Sequence, residues 1–359
     1  MANLRIQTNR LKKGMIIKAD VYTHSGVVIV PAETIVTKEV FELLTKHLVD
    51  EVLVEYNLKK KETSLSYRGK SLPEEKKKRV EEFTQEFYVA EESLSRNLKD
   101  IVEQDEDVDI QGLLNTVQAV VNKADNDMDL CTMLLGMKNY SESLYAHSIH
   151  VALYGKLLAG WVDLEKEERE YVVLAGLLHD IGHLKYSEKE QKRLLLHDEL
   201  RKCCNEKHPM HGYKLLKDKT LDYRVKQAVL THHERMDESG FPMGISYENI
   251  NGIARILAIA DTYVTLTTEE SGYPALSPFE ALKYLQMQEL GKFDSRYLLV
   301  FMEHLAQSFI QQKVRLNNDK VGTVVMLNKL DLLRPLVQVE DYFVDLSVHK
   351  DLLIKEVLM

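Results

Sequence analysis

His179-Asp180 stands at the end of the apolar run YVVLAGLL, residues 171–178. An imidazole beside a carboxylate at the end of a buried segment is costly unless the pair is hydrogen-bonded or holds a cation. Donors of the same kind recur along the chain at His147, His208, the adjacent pair His232-His233, and Asp261. Taken singly, a histidine on a helix is more often a satisfied structural residue than a ligand. Five histidines and two aspartates on separate helices carry more weight, because metal sites in bundle cores are assembled that way. Such nitrogen and oxygen donors suit Fe, Mn, Co or Zn. None of the three cysteines (Cys131, Cys203, Cys204) shares a motif with them, which disfavours a thiolate site.

The elements that must bring these residues together read as helices. Apolar periodicity near 3.6 marks 144–159, 165–181, 222–233, 251–266 and 278–290, inside an almost wholly helical stretch from Ser141 to Ile310. Upstream, Pro73-Glu74-Glu75 suits a helix start. Val80, Phe83, Phe87, Ala90, Leu94, Leu98 and Ile101 follow at steps of three and four. That seam predicts an amphipathic helix lying on its own domain, with a dimerising or signal-transmitting coiled coil as the alternative. The acidic run Glu103–Asp109 should break it, and Gln111–Met137 should continue as helix. Lys59–Lys70 reads as a linker. β-type runs occur at Met15–Val21, Gly26–Val30 and Glu51–Val54, around a short helical pattern at Thr37–Lys46, and again at Val321–Met326 and Leu336–Val339. The expected fold is mainly α: an all-helical bundle with a small N-terminal α/β module and a short C-terminal β appendage. The boundaries read as 1–58 for the module, 59–140 for a linker and long helices, 141–312 for the bundle and 313–359 for the appendage.

At roughly 150 residues per domain, 359 residues predict two or three domains. Sixteen glycines and seven prolines favour helices over a turn-rich sandwich. A formal charge of −9 argues against binding a nucleic-acid polymer. No run approaches the ~20 apolar residues of a membrane span, and the start MANLRIQTNRLKKG lacks the apolar core of a secretory signal. An odd number of cysteines, two of them adjacent, fits a reducing cytoplasm better than a disulfide framework.

The pieces YAHSIHVA (145–152), LLHDIGH (177–183), KHPMHG (207–212), HHERMDESGFP (232–242), ARILAIADTYVTLT (254–267) and GKFD (291–294) occur in one order. In that order and spacing, 141–297 resembles the HD-GYP family, a branch of the HD superfamily of metal-dependent phosphohydrolases. The N-terminal segment, with LKKGM at 11–15, also looks like a module often found before that domain. The resemblance implies an HD-type helical bundle around two or three metals that hydrolyses the bacterial messenger cyclic di-GMP. It implies His147, His179, Asp180, His208, His232, His233 and Asp261 as ligands to two divalent ions, iron first and manganese second, with Asp180 as the bridge. The attacking oxygen would be a hydroxide shared by two cations, so no Ser or Cys nucleophile is needed. Asp180, His183 and Asp237 are the implied catalytic residues, and Phe241 and Arg235 the implied substrate contacts.

The chain departs from the family at four places. A third-metal glutamate found in some members is Ser143 here; the neighbouring Glu142 would face about 100° away on a helix. The lysine of the family's HD-x-G-K is His183, four after His179 on one helical face, and open to three roles: proton donor, extra ligand or support behind the ligands. The tyrosine of GYP is Phe241. The stretch Thr268–Tyr273 carries Glu269 and Glu270 where the family has basic residues that contact phosphate. The metal centre reads as intact and the substrate clamp as eroded.

Three functions follow: a phosphodiesterase for cyclic di-GMP or a related nucleotide, a metal-bound sensor or interaction module with weak or no hydrolysis, and a phosphohydrolase of another substrate. The expected partners are a cyclic dinucleotide or other phosphodiester, signalling proteins and a second copy of the chain. His150 reads as packing, His197, His211, His304 and His349 as structural, Trp161 as core, and Lys185 and Arg255 as weaker phosphate contacts. Cys203-Cys204 reads as part of a basic loop.

Overall fold

Alternating apolar residues in NLRIQ and VLVEY, and the Val/Ile-rich pieces between them, form strands β1 (Ala2–Gln7), β2 (Ile16–Ile17), β3 (Val21–Tyr22), β4 (Val28–Val30) and β5 (Glu51–Tyr56). They are seen in a computed structural model that describes residues 2–8, 11, 16–22, 28–34, 36, 40, 43–44, 47, 49, 51–56, 74–137, 143–186, 198–268, 275–288 and 291–358. The Lys59–Lys70 linker, Glu142, His197 and most of the Thr268–Tyr273 stretch lie outside the described residues. The order β1-β5-β2 is antiparallel throughout, and β3 pairs with β4. Ile17, Val21, Val30, Val36, Leu44, Val52 and Val54 close a small core of their own. Strand β1 went unread in the sequence. The chain divides into two units: Met1–Ser71 with Thr268–Ala275, and Leu72–Thr267 with Leu276–Met359.

The second unit is mainly helical. Helix α1 (Glu74–Glu103) buries Phe83, Phe87, Ala90, Leu94, Leu98 and Ile101 inside the unit, so the seam packs on its own domain. It ends in the acidic run as expected. The predicted helix over Gln111–Met137 is two helices, α2 (Ile110–Val121) and α3 (Asp127–Gly136). The break comes at Asn126, whose side chain accepts the Asp129 N–H and caps α3. Then come α4 (Leu144–Trp161), α5 (Lys166–Leu178), a 3₁₀ turn (Ile181–Lys185), α6 (Asp198–Leu216), α7 (Tyr223–Thr231), α8 (Gly252–Thr267), α9 (Pro278–Gln288) and α10 (Ser295–Gln307). Cys203-Cys204 is therefore helical, not loop. Trp161 is half-buried and stacks on His304, ring centroids 4.5 Å apart, rather than sitting in the core. Five antiparallel strands follow: β6 (Lys313–Leu316), β7 (Val321–Asn328), β8 (Asp331–Val339), β9 (Tyr342–Asp345) and β10 (Ile354–Leu358), in the order β10-β6-β7-β8-β9. Val314, Leu316, Val324 and Val337 join the same apolar core as the helices. No helix among the described residues is long and apolar enough to cross a membrane.

One contact sets the position of the 3₁₀ turn. Gly182 lies against α6 so closely that a Cβ would stand 2.0 Å from the His208 carbonyl oxygen and 2.6 Å from the Gly212 nitrogen. Backbone cannot move aside as a side-chain tip can. Gly182→Ala is therefore expected to destabilise the protein by about 3 kcal/mol, at the upper end for overpacking, and to push Asp180 and His208 apart. Urea unfolding of the variant checks this; unchanged stability contradicts it.

Candidate metal centre

Five of the seven ligand candidates stand at or near helix ends, and His208 and Asp261 lie within helices. Ser143 caps α4 by accepting the Ala146 N–H, which starts the helix one turn before His147. His179 is the C-cap of α5, and Asp180 opens the 3₁₀ turn. His208 lies on α6, His232 is the C-cap of α7 with His233 next, and Asp261 lies on α8. All seven converge as two groups: His147, His179 and Asp261, and Asp180, His208, His232 and His233, with the donor atoms of each group within 4.8 Å of one another.

The carboxylates stand between the groups. Asp180 Oδ2 is 3.3 Å from His179 Nε2 and 3.8 Å from His147 Nε2. Its Oδ1 is 3.0 Å from His208 Nε2 and 3.9 Å from His232 Nε2. Asp261 also spans, with Oδ1 3.1 Å from His147 Nε2 and Oδ2 3.6 Å from His233 Nδ1. His179 Nδ1 and His232 Nδ1 each lie 2.8 Å from a carbonyl three residues back, Gly176 and Val229. Those contacts put the proton on Nδ1 and turn the Nε2 lone pair into the cluster. His179 Nε2 is buried and lies in no hydrogen-bonding alignment with its neighbours. His208 Nε2 and His232 Nε2 face each other at 3.2 Å. A divalent cation fits lone pairs so arranged, and the set of imidazole and carboxylate donors suits one.

The buried charges act strongly on one another. Burial opposes charge on both partners of the pair, yet Asp180 and Asp261 raise the His179 imidazole to about 9. Against the same burial, His179 and His208 hold Asp180 well below the usual carboxylate range. Burial likewise opposes ionisation of Asp261, but His147 draws it down to about 2. Burial, with neighbouring imidazoles, pushes His232 and His233 well down, so both are neutral donors.

The other expected residues fare differently. His183 does not share an α-helical face with His179, because α5 stops at Leu178. In the 3₁₀ turn it lies instead three residues after Asp180, with Nε2 3.8 Å from Asp180 Oδ1 and its ring stacked on His208 at 4.1 Å. Burial pushes it down to about 4, which favours the neutral ring near pH 7. Asp237 is not brought to the cluster: it is exposed, and its Oδ1 accepts from the Ser239 N–H and hydroxyl. Arg235 donates to the His232 and Glu234 carbonyls and lies over Phe293, 4.9 Å from the ring centroid. Arg255 is likewise held by protein, donating to Ile250, Tyr247 and Asp294. Phe241 does reach the site, its ring centroid 4.5 Å from that of His233. Glu234, a buried carboxylate, was not singled out from the sequence; beside a histidine pair it reads as a solvated charge.

Residues 131–297 match the HD domain family. This segment is an HD domain. The chain is 28% identical over 207 residues to the cyclic di-GMP phosphodiesterase PA4108 of Pseudomonas aeruginosa, covering 57% of this chain and 50% of that protein. It is 28% identical over 170 residues to the 3′3′-cGAMP-specific phosphodiesterase 1 of Vibrio cholerae, covering 47% of this chain and 39% of that one. Among solved structures, Bd1817, an HDG"Y"P protein from Bdellovibrio bacteriovorus, aligns at 14% identity and a TM-score of 0.47, covering 84% of this chain and 98% of that chain. The chain spans about half the length of the first two relatives it matches by sequence.

His150 belongs to the packing beneath the HD domain's cluster. It is 1% exposed, its Nδ1–H donates to the Ala146 carbonyl at 2.9 Å, and its ring lies 4.5 Å from Phe87. Burial pushes it from 6.5 to about 4. The folded state thus prefers the neutral ring. Its contribution is complete above about pH 6.5 and is lost as pH falls from there towards 4. At pH 5 the loss is about 2 kcal/mol. Urea unfolding at pH 7 and pH 5 should show that much less pH dependence in His150→Leu than in the unmodified protein. Equal dependence in both contradicts this.

Proposed function

We propose that the chain is a metal-dependent phosphodiesterase acting on cyclic di-GMP or a related cyclic dinucleotide. The carrying observation is the Asp180 carboxylate, one oxygen towards His147 and His179 and the other towards His208 and His232. In this reading His147, His179 and Asp261 hold one divalent ion, His208, His232 and His233 the other, and Asp180 both. Two such ions supply a water of lowered pKa and neutralise charge on the phosphoryl group. Iron is the first candidate and manganese the second, since the donor set holds no thiolate. His183 steadies His208 and the Asp180 carboxylate. Phe241, beside His233, offers a ring face to a base. The relatives' phosphodiesterase activities on cyclic dinucleotides support the substrate class. A cytoplasmic setting, where such a messenger is found, goes with it.

The test is to purify the chain, count metals by elemental analysis, and assay cyclic di-GMP and 3′3′-cGAMP turnover with Fe and Mn supplied. Two metals per chain and metal-dependent turnover support the reading. A fully metallated protein that hydrolyses no phosphodiester at all replaces it with a metal-bound sensor.

A further inference from the structure

Glu234 is 2% exposed, and both its oxygens are taken by backbone. Oε1 accepts the Met243 N–H at 2.8 Å and Oε2 the Ile245 N–H at 3.3 Å. A buried carboxylate is costly unless its lone pairs are satisfied, and bonds from N–H to an ionised oxygen are among the stronger ones. Both amides lie just past Gly240-Phe241-Pro242. The front of that segment is attached separately. The Phe241 N–H donates to the His233 carbonyl at 3.3 Å. At Gly240 a Cβ would stand 2.4 Å from Glu234 Cα and 2.5 Å from the His233 oxygen, so the loop lies flush on the histidine pair's backbone. The loop is thus held at its front by backbone contact and at its rear by the Glu234 side chain. Phe241, between the two attachments, keeps its ring against His233.

We infer that Glu234 is a positioning residue for substrate recognition: by fixing residues 240–245 it keeps Phe241 beside His233, where a nucleobase, but not a small phosphodiester, depends on the ring. The recognition half rests on the phosphodiesterase reading; the positioning half does not.

Glu234→Gln keeps the side chain's shape but replaces one acceptor oxygen by an NH2 that faces an N–H donor, so one bond is lost. Hydrogen exchange tests the positioning without any activity. In the unmodified protein the Met243 and Ile245 amides should exchange slowly, and in Glu234→Gln about tenfold faster. Unprotected amides in the unmodified protein, or equal exchange in both, overturn the inference whatever the protein hydrolyses. Kinetics test the recognition. In Glu234→Gln the KM for cyclic di-GMP should rise about tenfold, while kcat/KM for bis(p-nitrophenyl) phosphate and metal content stay within about twofold. A parallel fall on both substrates, or loss of metal, overturns it by making Glu234 a support of the ligands. If the unmodified protein turns over no phosphodiester, the proposed function fails, and the exchange result alone decides the role of Glu234.

Discussion

Asp180→Ala protein is expected to carry at most one metal ion and to lose hydrolysis by about a thousandfold or more. The carboxylate lies within 4 Å of His147, His179, His208 and His232 together. Without it the two halves keep only their own imidazoles and Asp261, which touches one histidine of each. The centre then loses the group that fixes the separation of its two halves. Metal-assisted stabilisation of a phosphoryl transition state amounts to several kcal/mol, and each 1.36 kcal/mol is tenfold in rate. Asp180→Asn is the sharper variant, since it keeps the volume and removes the charge. Elemental analysis reads the first effect and turnover of bis(p-nitrophenyl) phosphate the second. Retention of two metals in Asp180→Ala would sink the assignment of the bridge.

The second large effect concerns discrimination between substrates. Phe241 brings a ring to His233 but no hydroxyl, and Glu269 and Glu270 stand where the resemblance implies cations. A hydrogen bond to a charged group contributes roughly 1.5–3 kcal/mol, and like charge near a phosphate opposes binding. Cyclic di-GMP is thus expected to bind weakly, while small activated phosphodiesters are still cleaved at a metal-dependent rate. Phe241→Tyr combined with Glu270→Arg should raise kcat/KM for cyclic di-GMP by about tenfold or more, and change that for the small substrate much less. Glu270 lies outside the described residues, so this half of the prediction rests on sequence. Tight cyclic di-GMP binding by the unmodified chain refutes it.

The helices of the HD domain were legible because α4, α5, α7 and α8 are rich in apolar residues, which the core buries along much of their length. Helix α6 was not. DELRKCCNEKHPMHGYKLL is polar and holds Pro209, and the helix stands because backbone at Gly182 and Gly212 meets it closely. The break between α2 and α3 was missed because Asn122–Asn126 contains no glycine or proline. The seven donors of the cluster could be named from type and order, but not their division into two groups, which depends on tertiary placement. Side-chain direction explains the remaining misses. Asp237 is turned to Ser239, and Glu234 reaches amides nine and eleven residues ahead, a return that no local pattern announces.

Helices α5 and α7 both stop at the cluster, and the Nδ1–H of the histidine that caps each donates to a carbonyl of its last turn. A helix C-terminus carries roughly half a negative charge. Two such ends, together with ionised Asp180 and Asp261, give the cluster a negative potential that favours cations and opposes a phosphodiester. On the proposed function, a phosphodiester would be attracted to such a site only once cations offset that charge.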